Sequence, residues 1–232
     1  IVQISDFHNN QSNTLTNDLI KEIEKQKPNI IVLTGDFVDS SKTNVEVAIN
    51  FIKKINTVAP IYYVSGNHEA SISGYTKFKE QLLENKVIIL ENKTEVLKIN
   101  ESSINLMGID DPRMAHESFI SDSEIVKVEL DNVKYNRDKY NILLSHRPEL
   151  FDTYVEKEID LILTGHAHGG QIRIPFMGGI VAPNQGFFPK YTSGIFEKNK
   201  TTMVVSRGIG NSIIPFRINN RPELVVITLY NK

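Results

Sequence analysis

The 232-residue sequence contains no cysteine, and that absence removes disulfide frameworks, thiolate zinc sites and cysteine nucleophiles together. It does not choose a compartment, because exported and cytosolic chains alike can lack cysteine. No apolar run approaches the ~20 residues that span a bilayer, and no secretory leader is visible. The chain opens at Ile1 inside a strand-like run, without Met. The expectation is a processed form or fragment whose targeting or membrane segment lay upstream. Excess positive charge is missing too: 26 Lys and Arg stand against 28 Asp and Glu, a formal net charge of −2. A surface built to follow a nucleic-acid backbone needs a basic stripe, so no nucleic-acid partner is expected. A small phosphorylated substrate stays open, because a bound metal supplies positive charge locally. No repeat, low-complexity tract or Pro/Ser-rich linker divides the chain, and its length suits one domain over residues 1–232.

What is present is an alternation of strand and helix signals. Residues 1–5 read as a short buried strand. Leu15, Leu19, Ile20 and Ile23 share one helical face, closed by Pro28. Asn29–Thr34 is a continuous apolar, β-branched run of the kind covered on both faces. Thr43 and Glu46 form a T-x-x-E capping pattern before a helix carrying Val45, Ala48, Ile49, Ile52 and Ile55. Residues 61–65 read as a third strand, 75–85 as a helix, and 87–90, 96–99 and 104–109 as short strands. A helix over 121–130 and strands at 141–145 and 161–164 follow. Beyond Gly165 glycine, proline and aromatic residues dominate, and 201–206 and 224–229 read as closing antiparallel strands. The order is α/β first and β-rich afterwards.

The chemistry lies where the buried strands stop. Asp6-Phe7-His8 follows the first, Gly35-Asp36 the second and Gly66-Asn67-His68-Glu69 the third. His146 and then Gly165-His166-Ala167-His168 follow the later pair. Ligands of α/β sheets bind at that C-terminal edge. Five of the six histidines fall in these clusters, and His116 alone lies elsewhere, as a core or surface residue. Imidazoles with two carboxylates and an amide form an N/O donor set suited to Mn, Fe or Zn. The donors exceed what one ion needs, and two ions sharing a carboxylate resolve the excess.

The ordered series D-x-H, G-D, G-N-H-E, H, G-H-x-H, running from Asp6 to His168, resembles the signature of the calcineurin-like metallophosphoesterases. The resemblance implies an α/β fold, a two-sheet β-sandwich flanked by helices in four αββα layers. It implies two divalent or trivalent ions (Mn, Zn or Fe), one held by Asp6, His8 and His168, the other by Asn67, His146 and His166, with Asp36 bridging. It also implies a metal-bridging hydroxide as nucleophile, with His68 not a ligand but a catalytic group facing the leaving oxygen, and Asn67 and His68 near the substrate. Glu69 then supports the ligands from behind. Asp39 and Asp110 read as turn residues or as similar supports.

Ser145–Glu149, Gly169–Arg173 and Ala182–Gly186 are similar to the bacterial YkuE/YaeI-like branch, which implies a phosphodiesterase. The same fold also hosts phosphomonoesterases and nucleotide-sugar lipid pyrophosphatases. A non-catalytic metal-binding module is the remote alternative, since no motif residue is missing. The branch further implies a bacterial envelope location, reached through a segment absent here, with a cytoplasmic one also open. Arg207, beside the Gly208-Ile209-Gly210 turn, is a candidate phosphate contact. The loop Pro175–Tyr191, with Phe176, Met177, Phe187, Phe188 and Tyr191, follows the last ligands. Its aromatics either pack it onto the sandwich or receive the apolar part of an amphiphilic phosphodiester.

Overall fold

The computed structural model describes residues 1–99, 102–211 and 216–230. In chain order the strands and helices are β1 (Val2–Ile4), α1 (Asn13–Gln26), β2 (Ile31–Thr34), α2 (Val45–Ile55), β3 (Ile61–Val64), α3 (Tyr75–Glu84), β4 (Val87–Ile89), β5 (Lys93–Ile99) and β6 (Ser102–Gly108). They continue with α4 (Asp122–Asn132), β7 (Tyr140–Leu144), α5 (Phe151–Glu156), β8 (Leu161–Thr164), β9 (Arg173–Ile174), β10 (Gly178–Gly179), β11 (Val181–Ala182), β12 (Gly186–Phe187), β13 (Gly194–Lys198), β14 (Thr201–Val205) and β15 (Val225–Val226). Two large sheets result, in the orders β15-β1-β2-β3-β4 and β13-β14-β8-β7-β6-β5. No helix among the described residues is long and apolar enough to cross a membrane.

Strand periodicity builds the four layers. In β2 and β3, Ile31, Leu33, Ile61 and Tyr63 face a core shared with α1, α2 and α3. The alternate residues Val32, Tyr62 and Val64 face inward, against Leu106, Ile142, Leu144, Leu161, Leu163 and Val204 of the second sheet. Met107, Leu143, Ile162 and Met203 turn the other way, onto α4 and α5. Strands apolar at every position therefore mark a sheet buried on both faces. One polar group crosses the inter-sheet layer: Gln3 Nε2 donates to Thr34 Oγ1 at 3.0 Å and to the Thr164 carbonyl at 2.9 Å. This ties β1 and β2 to β8 near the ends that carry the motif residues.

Two local expectations change. The N-cap of α2 is Asn44, whose side chain accepts from the Val47 amide at 3.3 Å, and not Thr43. Thr43 Oγ1 turns back to the Ser40 carbonyl instead. An Asx side chain one residue nearer the helix competes better for the free N–H groups. The closing strands are also not simply antiparallel. β14 pairs antiparallel with β13 but parallel with β8, and of residues 224–229 only Val225–Val226 form a strand, antiparallel to β1.

Candidate metal centre

Hydrophobic anchors hold the ligand-bearing loops. Phe7, between Asp6 and His8, stacks on Phe37, next to Asp36, with ring centroids 5.0 Å apart. Phe7 also stacks on Phe51 of α2 at 4.7 Å. Each buried phenyl is worth roughly 1.5–3 kcal/mol, which fixes two loops whose backbone is otherwise strained. Asp6, His8, Asp36, His166 and His168 all adopt left-handed backbone, with φ between 46° and 65°. Non-glycine residues hold that conformation at a cost of roughly 1–3 kcal/mol each, and such strain gathers at functional sites. Close approach decides two glycines. A Cβ on Gly66 would lie 2.3 Å from Asp36 Oδ1, and one on Gly165 would lie 1.8 Å from Ser5 Oγ.

Three overlapping groups of donor atoms converge: Asp6, His8, Asp36 and His168; Asp36, His146 and His166; and His8, Asp39 and His68, each set within 4.8 Å. His168 Nε2 lies 3.3 Å from Asp6 Oδ1 and 3.2 Å from His8 Nε2. His146 Nε2 lies 3.1 Å from both Asp36 Oδ2 and His166 Nδ1. Asp36 belongs to two of the sets. Its Oδ2 also stands 3.8 Å from His8 Nε2 and 3.9 Å from His68 Nε2, while Oδ1 accepts from the His68 amide at 2.8 Å. Asn67 is buried and its Oδ1 has no hydrogen-bond partner. A buried amide oxygen without a hydrogen-bond partner is a donor that a cation would satisfy.

The electrostatics agree. Burial opposes ionisation of Asp36, yet the rings of His146, His8 and His68 outweigh it and hold the carboxyl well below its usual range. Burial likewise disfavours a charged His146, but facing Asp36 raises it to about 10, so positive charge is favoured there. Burial lowers His168 to about 3, and burial with His146 and Arg147 holds His166 well below its usual value. These two rings are neutral near pH 7, the form that ligates metals. His146 Nδ1 meets the Thr34 carbonyl at 2.8 Å; a carbonyl only accepts, so Nδ1 carries a proton, and Nε2, facing Asp36, is the nitrogen whose proton a metal ion would replace.

The supporting residues sit behind this layer. Glu69 is fully buried and accepts four backbone N–H groups: Phe37 at 2.7 Å and Val38 at 3.1 Å on Oε1, Asp36 at 2.9 Å and Gly66 at 2.7 Å on Oε2. Asp39 is a turn residue and a support at once. Oδ1 accepts from the Ser41 and Lys42 amides at 2.8 and 3.1 Å, and Oδ2 lies 3.3 Å from His8 Nδ1. Asp110 meets Ser65 Oγ at 2.8 Å and burial pushes it up to about 6, whereas its neighbour Asp111 reaches the centre through Arg147. Arg147 Nε and Nη2 grip Asp111 at 2.5 and 2.9 Å, and Nη1 lies 3.4 Å from His166 Nε2. His116 is exposed. Arg207 is countered by Glu223, 3.8 Å from its Nε. Gly208 and Gly210 lie under the first ligand loop, where the Gly210 amide donates to the Asp6 carbonyl at 2.7 Å. Sequence reading passed over Arg217, whose Nη2 lies 3.4 Å from His168 Nδ1 and which binds the carbonyls of Arg207 and Gly210. Nothing in its local pattern marks it. Arg147, a charge directly after a buried strand and a motif histidine, did carry a signal.

A sequence model of the calcineurin-like phosphoesterases matches residues 1–170, the span that holds every donor described above. The chain belongs to this family. As a calcineurin-like phosphoesterase it is a phosphoester hydrolase, and its His/Asp clusters are groups able to hold a metal ion. It is 30% identical to the Bacillus subtilis metallophosphoesterase YkuE over 234 residues, 99% of this chain and 78% of YkuE. It is 26% identical to the Escherichia coli phosphodiesterase YaeI over 227 residues, 93% of this chain and 76% of YaeI. Among solved structures, TT1561 of Thermus thermophilus aligns with a TM-score of 0.59 at 12% identity, over 89% of this chain and 88% of its own, a likeness of fold. This calcineurin-like phosphoesterase thus keeps the expected αββα layers, with the donors at one edge of both sheets.

Proposed function

We propose that this chain is a binuclear metal-dependent phosphodiesterase acting on small or amphiphilic phosphodiesters. The observation that carries the reading is the sharing of Asp36 between two donor sets drawn from both sheets. Asp6, His8 and His168 would hold one ion, Asn67, His146 and His166 the other, with Asp36 common to both. Bound Mn, Zn or Fe would supply Lewis-acid charge for the phosphoryl oxygens and activate water for attack.

The chain's own residues do the rest. Ser40 N–H donates to His68 Nδ1 at 3.0 Å, so the neutral ring carries its proton on Nε2, on the side facing Asp36. Burial lowers the His68 pKa, which keeps the ring neutral near pH 7. From Nε2–H, His68 would hydrogen-bond the leaving ester oxygen and stabilise the charge that develops on it, with Asn67, next in sequence, orienting the phosphoryl group. Asp39 faces His8 Nδ1, and the Glu149 carboxylate, 3.7 Å from His166 Nε2, is the acceptor on the outer side of that ring. Arg207 would be at most a weaker phosphate contact, its charge countered by Glu223. The diester preference is supported by likeness to the phosphodiesterase YaeI.

The test is hydrolysis of bis-p-nitrophenyl phosphate and p-nitrophenyl phosphate by metal-stripped protein, with Mn, Zn, Fe or Mg added singly. Metal-restored cleavage favouring the diester is expected. A monoester preference would make the chain a phosphatase, and equal activity without metal would overturn the metal reading. His68→Ala should lower turnover by roughly 10²–10⁴-fold while metal content, measured by mass spectrometry, stays at the wild-type value. Parallel loss of metal would instead make His68 a ligand.

A further inference from the structure

Directly after His168, two small hairpins leave the sandwich. β9 and β10 pair Ile174 with Gly178 and Arg173 with Gly179, and β11 and β12 pair Val181 with Phe187. They are fixed to the metal-centre turn. A Cβ on Gly170 would lie 2.4 Å from Gly179 Cα, and Arg173 Nη1 donates to the Gly169 carbonyl at 2.8 Å. Of the aromatics in this stretch, Tyr191 packs inward, between Phe151 and Phe196. The others do not. Phe176 is fully exposed, and Phe187, Phe188 and Met177 are 78%, 66% and 64% exposed.

This display is costly twice over. Large apolar groups stand in water, and Phe176 and Phe188 both occupy left-handed backbone, at φ 68° and 52°. A loop whose rings only packed onto the sandwich would need neither. The charge is equally one-sided. Residues 169–223 hold seven Lys and Arg against two Asp and Glu, in a chain that carries 26 against 28 overall. From Gly169 to Phe196 there is no carboxylate at all. Lys190 and Arg221 are exposed, and Arg173 and Arg207 are half-buried.

We propose that the 173–190 hairpins form a docking surface for an anionic lipid bilayer, with Phe176, Met177, Phe187 and Phe188 entering the interface and Lys190 and Arg221 meeting acidic headgroups. Exposed apolar groups flanked by basic residues, on a chain of net negative charge, match a surface that is apolar inside and anionic outside. A neutral apolar partner would leave the basic bias without a role. The bound orientation sets the metal centre one hairpin away from the membrane plane. The proposal concerns where the chain sits and is independent of which ester it cleaves.

The test is co-sedimentation of the full chain with phosphatidylglycerol vesicles and with phosphatidylcholine vesicles. Binding to the anionic vesicles, weakened by added salt, is expected. The triple variant Phe176→Ser/Phe187→Ser/Phe188→Ser should bind on the order of tenfold more weakly. Its thermal midpoint and metal-dependent hydrolysis of soluble bis-p-nitrophenyl phosphate should stay at wild-type values, which separates docking from folding and catalysis. Lys190→Glu/Arg221→Glu should lose the anionic preference while the rings remain. No vesicle binding by the wild-type chain, or equal binding by the triple variant, would overturn the proposal. So would concentration-dependent dimers that the triple variant abolishes, seen without vesicle binding, because the patch would then serve a second copy.

Discussion

Asp36→Ala should leave a folded protein with little bound metal and hydrolysis lowered by on the order of 10³-fold or more. Removing an outer-shell partner of a metal ligand costs about 10–100-fold, and Asp36 is more than that. Its Oδ2 faces donors of both sets, 3.1 Å from His146 Nε2 and 3.8 Å from His8 Nε2. Without it the first set keeps only one carboxylate, Asp6, and the second keeps none beside His146, His166 and Asn67. His146 would also lose the charge that raises its pKa to about 10, so the pocket becomes a poorer home for any cation. Fold is expected to survive, because the Phe7–Phe37–Phe51 stack anchors the same loop independently. Metal content by mass spectrometry and diester hydrolysis together check this. Two retained ions with full activity would show that Asp36 is not the shared ligand.

The second large effect is on stability. Glu69→Gln should destabilise the chain by roughly 3 kcal/mol, lowering the thermal midpoint by about 10 °C. Glu69 holds four N–H groups from two loops, two on each oxygen. Glutamine has nearly the same volume, but its NH₂ cannot accept, so whichever oxygen it replaces leaves two buried donors unpaired. Each unpaired donor costs roughly 1–3 kcal/mol. The loops concerned carry Asp36 and Asn67, so metal affinity should fall with stability. Restored affinity at low temperature, where the loops stay closed, would follow from this account. A thermal midpoint unchanged within error would show that water or backbone shifts satisfy the four donors.

Arg147 illustrates a different kind of dependence. It is a fully buried guanidinium between Asp111, Glu149 and His166, and it lies next in sequence to the candidate ligand His146. Buried charges are tolerable only when paired, and the Arg147–Asp111 pair joins the loops after β6 and β7 beside the His166 ring. The second donor set therefore depends on residues from β6, β7 and β8 together.

The series of candidate donors was legible in the sequence because it is a local pattern. An apolar run covered on both faces must be a buried strand, and a polar cluster at its end must find a partner, so each strand announces its own donor. The αββα layering came from the resemblance that this series carries; the runs by themselves gave an α/β order with a β-rich end. What surrounds the donors was decided only in three dimensions. Glu69 was read as a support, but that it binds the amides of Asp36, Phe37, Val38 and Gly66 depends on two loops meeting across sheet neighbours. Asp39 serves His8 while also closing its own turn, and Arg217 reaches His168 from 49 residues away. The outward setting of Phe176, Phe187 and Phe188 depends on backbone angles that composition does not reveal. By itself the sequence determined which residues offer donor atoms at the strand ends, since strand period and residue chemistry act within a few positions. The tertiary structure decided how those atoms are oriented and which apolar groups face solvent, since hydrogen-bond partners and burial are set by segments distant along the chain.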